Sequence, residues 1–117
     1  MGDSNLNERL VVLWTSSDRE VAEQMVFMYT LNAKLYEWFK DVYLIIWGGS
    51  TRLLSEDEEL QAQIRKMHEV GIRLMACKKC ADNYGVTQKL IDLGVEVIYM
   101  GVPLTDLIKK GYRILTI

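Results

Sequence analysis

Two stretches of the chain are apolar without interruption, Leu10-Val11-Val12-Leu13-Trp14 and Val42-Tyr43-Leu44-Ile45-Ile46-Trp47. Runs of strand length with no polar alternation predict central parallel strands covered on both faces. Three later segments share another grammar: Gly71-Ile72-Arg73-Leu74-Met75, Gly94-Val95-Glu96-Val97-Ile98 and Gly111-Tyr112-Arg113-Ile114-Leu115. Each opens with a glycine suited to the left-handed residue that ends a helix, then turns β-rich at once. The charged residue at the matching position of each predicts strand ends or faces that are less covered.

The intervening segments read as helices. Thr15-Ser16-Ser17-Asp18 supplies N-cap candidates before Arg19-Glu20. Val21, Met25, Met28 and Leu35 recur at helical spacing, which predicts a long helix with these residues packed inward and an end near Lys34, Asn32 interrupting the stripe. Ser55, with Glu58 three residues on, predicts a capping box for a second helix. The acidic residues Glu56 to Glu59 fall in its first turn, where the helix dipole favours them, and Leu60, Ile64 and Met67 form its inner stripe. His68, near the end of that helix, reads as a partly buried surface histidine or a favourable terminal charge, with catalysis as the remaining alternative. A further helix is expected from about Lys79 to Leu93. A short one is expected near Thr105 to Lys110, with Pro103 just before it.

Strands alternating with helices imply an α/β three-layer sandwich around a five-stranded, mostly parallel sheet, flavodoxin-like or Rossmann-like. Met1 to Glu8 is polar and is expected to be a flexible lead-in to a single domain spanning 9–117. Half of the residues are hydrophobic and the formal net charge is -2. Acidic and basic residues are interleaved, so a nucleic-acid surface is not expected. No apolar run reaches membrane length, and the first residues lack a signal-peptide pattern. The expectation is a cytoplasmic protein with reduced thiols. One His and two Cys do not complete a four-ligand zinc site, so neither metal nor cofactor is expected.

Ligands of such sheets bind beyond the carboxyl ends of the strands. Four segments should meet there: Thr15 to Asp18, Gly48 to Thr51, Ala76 to Lys79 and Gly101 to Pro103. The candidate rim is Thr15, Ser16, Gly48, Gly49, Ser50, Lys78 and Gly101 around Cys77. The glycine loop reads as a tight turn or as an anion cradle built from backbone N–H groups. Cys77 follows a strand and precedes a helix, a position that stabilises a nucleophilic thiolate, with Lys78 and Lys79 adding positive charge. The competing reading is a small buried packing residue. Cys80 lies about one helical turn on and either faces Cys77 as a reversible dithiol or packs within the helix.

Cys77, Gly85 eight residues later, Leu90 and Gly94-Val95-Glu96-Val97 resemble the DsrE/DsrF-like family with its YchN-like fold. Trp47-Gly48, the Leu60 to Gly71 helix and Met100-Gly101 are similar as well. The resemblance implies a five-stranded parallel sheet between helices, assembled as trimers or hexamers. It also implies that Cys77 stands where the TusD and DsrE branches accept persulfide sulfur and relay it between carrier proteins. Cys80 is not part of that relay motif, and Lys78-Lys79-Cys80 replaces the small apolar residues common in those branches. The expected function is therefore sulfur handling. Cys77 would accept persulfide sulfur from a donor protein and pass it to an acceptor protein. The alternatives are a non-catalytic small-ligand or partner-binding module and a Cys77/Cys80 redox switch. Tyr29, Tyr36, Trp38 and Tyr43 are many large rings for one small domain, which predicts a homo-oligomer.

Overall fold

The computed structural model describes residues 8–117. Apart from Glu8, the proposed lead-in lies outside the described residues. In chain order the elements are β1 (Arg9–Trp14), α1 (Arg19–Val21, continuing through a π-helical stretch Ala22–Phe27 into Met28–Leu35), β2 (Asp41–Ile46), α2 (Gly49–Glu56) and α3 (Glu58–Glu69). Then follow β3 (Arg73–Cys77), α4 (Lys78–Tyr84), α5 (Thr87–Asp92), β4 (Glu96–Ile98), α6 (Gly101–Lys109) and β5 (Arg113–Thr116). The sheet is five-stranded with order β4-β3-β2-β1-β5, and every pairing is parallel.

Strand order decides which face each helix covers. β1 to β4 are laid side by side in one direction, and right-handed crossovers then stack α1 to α5 on a single face. To reach β5 the chain returns across β3, β2 and β1, so the same handedness carries α6 to the opposite face. The two cores match this division. Leu10, Val12, Trp14, Leu44, Ile46, Leu74 and Ala76 pack beneath Phe27, Leu54, Leu60, Ile64, Met67 and Leu90. Val11, Ile45, Met75 and Cys77 share the other core with Met100, Leu104 and Leu107. The sandwich has three layers, as expected, but one outer layer among the described elements is a single helix.

The helix boundaries and faces differ from expectation in ways that packing explains. Met25, Met28 and Leu35 point outward, 40%, 53% and 54% exposed, while Ala22, Val26, Phe27, Thr30 and Ala33 are buried. Apolar residues surround this helix. The side that wins sets Phe27 edge-on to Trp14 at 5.0 Å and brings small residues close to the sheet. Ser55 is not an N-cap. It lies inside α2, and its hydroxyl donates to the Arg52 carbonyl at 2.7 Å. Asp57 is the cap of α3 instead, accepting from Leu60 N at 3.0 Å. Buried Gln61 donates to the Leu54 and Ser55 carbonyls at 2.9 and 3.2 Å, which satisfies the end of α2 at this break. The helix expected from Lys79 to Leu93 is two, because Gly85 takes a left-handed φ of 69° and caps α4. Pro103 lies within the first turn of α6 rather than ahead of it, a place where its missing N–H costs nothing.

Arg19 fastens the start of α1 to the α2–α3 break. Its guanidinium bonds Asp57 at 2.6 Å, Glu23 at 2.6 Å and Glu59 at 3.0 Å. The N–H of Leu60 and then Arg19 hold the Asp57 carboxyl below its ordinary range, and Arg19 is held more firmly charged in return, chiefly by Asp57. Asp57→Ala is expected to cost about 1 kcal/mol from the lost cap, and Asp57→Asn, which still caps, only part of that. A carboxylate with a depressed native pKa stabilises fully above its unfolded pKa, near 4, and loses that contribution as the pH falls through the native value. The wild-type advantage over Asp57→Ala in denaturant melts should therefore shrink in acid. An advantage unchanged at strongly acidic pH would contradict this role.

Candidate functional site

The connection after β3 leaves toward one face and the connection after β4 toward the other. Diverging connections of adjacent strands open a crevice at the carboxyl edge of a sheet. In the flavodoxin order that reversal falls beside β1; here it falls between β3 and β4. Cys77 ends β3 and stands opposite Ile98, the last residue of β4. The cysteine therefore occupies the edge of the crevice.

Its environment is apolar and nearly closed. Cys77 is 5% exposed and belongs to the core of Val11, Ile45, Met75 and Met100, with Trp47, Ile98, Leu104 and Cys80 packed on that cluster. It is the residue immediately before α4, in an extended conformation (φ -68°, ψ 117°), and its side chain makes no capping hydrogen bond. Both cysteines are free thiols, Cys77 buried and Cys80 half-buried. The side chain of Cys80 is close enough to Cys77 and to the Gly48 backbone N–H for both to act on its thiol. Burial pushes the Cys80 thiol up; the Gly48 N–H and the Lys79 charge act against that, and Cys77 adds to it. Gly48 adopts φ 76° and ψ -136°, a conformation open to glycine alone, and this turn sets its N–H toward Cys80.

The four predicted segments divide into two groups. Thr15 is exposed, and its amide and hydroxyl both donate to the Ile117 carbonyl, at 2.7 and 3.1 Å. The amide of half-buried Ser16 donates there too at 3.3 Å, and its hydroxyl accepts from Asp18 N at 3.1 Å. Ser50 was expected on an open rim and is instead fully buried. Its hydroxyl donates to the Trp14 carbonyl at 2.6 Å and accepts from Trp47 N at 3.2 Å, tying β1 to β2. A Cβ on Gly49 would lie 3.0 Å from that of Ser17, so the two loops are in close contact. This region is a structural junction: Gly48 makes the turn, and Gly49 to Thr51, expected as a loop, form the first turn of α2. Lys78 turns to Asp82 at 2.7 Å and over the Tyr99 ring at 5.5 Å; Asp82 raises its pKa. Gly101, exposed, begins α6 on the far side of the crevice.

His68 is exposed, with its ring against Gly94, where an added Cβ would meet it at 2.9 Å. The end of α3 leads into the start of β3, so His68 belongs to the opposite edge of the sheet from Cys77. Among the described residues no group of three or more His, Cys, Asp and Glu is placed to hold a metal ion. No helix of the described residues is long and apolar enough to cross a membrane. Met100, Trp47 and Leu104 share the hydrophobic cluster of the cysteines, a role no motif announced. The available signal was positional: Trp47 and Met100 each directly follow the end of a strand or nearly so.

A family model for the DsrE/DsrF-like family matches residues 9–117. Among solved structures, BT1422 from Bacteroides thetaiotaomicron, a conserved protein of unknown function, is 40% identical with a TM-score of 0.92, covering 95% of this chain and 96% of that one. The ychN protein from E. coli has a TM-score of 0.76 at 18% identity, over 94% of this chain and 99% of that one. The protein of unknown function MTH1491 from Methanobacterium thermoautotrophicum reaches 0.73 at 19% identity, over 93% and 99%. A search of curated proteins finds no match. The likeness to the latter two carries the fold alone, whereas the family model spans every strand and both cysteines: the chain belongs to the DsrE/DsrF-like family.

Proposed function

We propose that this protein handles sulfane sulfur, with Cys77 as the accepting residue. The observation that carries the reading is the position of Cys77 at the β3/β4 end of the sheet, buried in an apolar cluster with a second thiol packed on it. Family membership is compatible with a sulfur-relay role. The Cys77 thiolate would attack the outer sulfur of a donor persulfide. The donor S–S bond breaks, the donor leaves as a thiolate, and Cys77 gains one sulfur as a persulfide. An acceptor thiolate then takes that sulfur by the same displacement and regenerates Cys77. The donor and acceptor would be thiol proteins meeting in a reducing compartment such as the cytoplasm.

The burial of Cys77 fits a carrier better than an open reagent. A persulfide enclosed by Met100, Leu104 and Ile45 is kept from water and oxidants between transfers. A partner reaches it by displacing the half-exposed cover, of which Cys80 is part. After brief exposure to inorganic polysulfide, denaturation and alkylation, intact mass should show one added sulfur, and peptide mapping should put it on Cys77. Cys77→Ser should gain none. No added sulfur at the earliest time in either wild-type or Cys80→Ser protein, or sulfur retained by Cys77→Ser, would overturn the proposal.

Self-assembly is part of the same reading. Met25, Met28, Tyr36 and Trp38 are 40%, 53%, 68% and 53% exposed at one side and end of α1. A groove of about 190 Å³ runs between Met25, Met28, Tyr29 and Trp38. An apolar surface of this kind favours contact with another copy. Sedimentation equilibrium should give a multiple of the 13.5 kDa chain mass, and Trp38→Asp with Met28→Asp should lower it. A purely monomeric wild-type protein would refute the assembly.

A further inference from the structure

Cys80 has no part in a single-cysteine relay, yet it packs on the same cluster as Cys77 and its thiol interacts with that of Cys77. Its position is set by backbone geometry. Cys77 immediately precedes α4 and Cys80 is the third residue of that helix. Elsewhere in this chain the same spacing brings a side chain back onto the third helical residue. Asp18 reaches Val21 N at 3.0 Å, and Asp57 reaches Leu60 N at 3.0 Å. Both cysteines pack on one cluster, on the α6 side of the sheet, close enough for their thiols to interact. The sulfur with which Cys80 interacts is the Sγ of Cys77. In a Cys77 persulfide this is the inner sulfur, the one bonded to carbon.

We propose that Cys80 is a resolving thiol that releases the sulfur carried by Cys77 as hydrosulfide. The proposal rests on Cys77 being the sulfur acceptor. The Cys80 thiolate attacks the inner sulfur of Cys77–S–SH. The bond between the two sulfurs of the persulfide breaks, HS⁻ leaves, and a Cys77–Cys80 disulfide forms. In full, the persulfide and one thiol give one disulfide and one hydrogen sulfide. The sulfane sulfur is reduced by two electrons as the two cysteine sulfurs are oxidised, so the release needs no outside oxidant. Resetting the disulfide to two thiols requires a dithiol reductant, such as a reduced thioredoxin-type protein or dithiothreitol. The substrate class is thus a low-molecular-weight or protein persulfide, and the product is sulfide. Release competes with relay when no acceptor is docked, because the attacking thiol is already in place.

The test uses the full chain, reduced, loaded briefly with polysulfide and freed of donor by rapid desalting. Wild-type protein should end two hydrogens lighter than its reduced form and release about one hydrosulfide per loaded chain. Cys80→Ser and Cys80→Ala should remain one sulfur heavier and release it at least roughly tenfold more slowly. Dithiothreitol should return the wild-type product to its starting mass. Loaded wild type that keeps its extra sulfur as long as the Cys80 variants do would overturn the resolving role while leaving Cys77 as acceptor. No sulfur on Cys77 at the earliest time in any variant would overturn the acceptor reading itself, and the resolving role with it.

Discussion

The return of the chain from β4 to β5 is the constraint on which the rest depends. β4 lies at one edge of the sheet and β5 pairs with β1 at the other, so the connection must cross three strands. A right-handed crossover in that direction can only pass over the face that α1 to α5 leave free. Three features follow together. The second layer is α6 alone, the connections after β3 and β4 diverge, and Met75 and Cys77 face α6 rather than the thicker helical layer. Cys77 is thereby placed in the smaller core, under the least covered half of the sandwich.

Around that crossover, polar contacts fix the rim rather than open it. Ser50 binds the end of β1 to the end of β2, and Thr15 and Ser16 bind the first loop to the end of β5. Arg19 then joins the first helix to the α2–α3 break. Thr15, Ser16 and Ser50 looked like ligand contacts because they sit where ligands of such folds bind. Their hydrogen bonds are already made within the chain. What is left at the carboxyl edge is the pair of thiols and the side chains that enclose them.

The strands were legible because their signal is local. Leu10 to Trp14 and Val42 to Trp47 are apolar throughout, and the structure buries both faces of most of their length. The three glycines before the later strands all take positive φ, as the helix-ending reading required. The inner face of α1 was not legible, since Met25 and Met28 are as apolar as Val26 and Phe27. Only packing against Trp14 chooses between the two sides. The true cap of α3 was obscured for another reason. Ser55 and Asp57 are both good caps, and a buried glutamine seven residues beyond Leu54 decides where one helix stops and the next begins. At the site, the rim position of Cys77 followed from topology. Its enclosure did not, because Met100 and Leu104 arrive from a helix whose face depends on the crossover. The approach of Gly48 N–H to Cys80 likewise joins residues far apart in sequence.

Cys77 is proposed as the residue on which sulfur rests, within the cluster beneath α6. A crystal structure of Cys80→Ser protein, loaded with sulfur and verified by intact mass, tests this most directly. The account predicts one additional atom bonded to Cys77 Sγ, enclosed among the residues around Met100 and Leu104. An additional sulfur on any other residue, or on a Cys77 side chain turned out of the cluster, would contradict it.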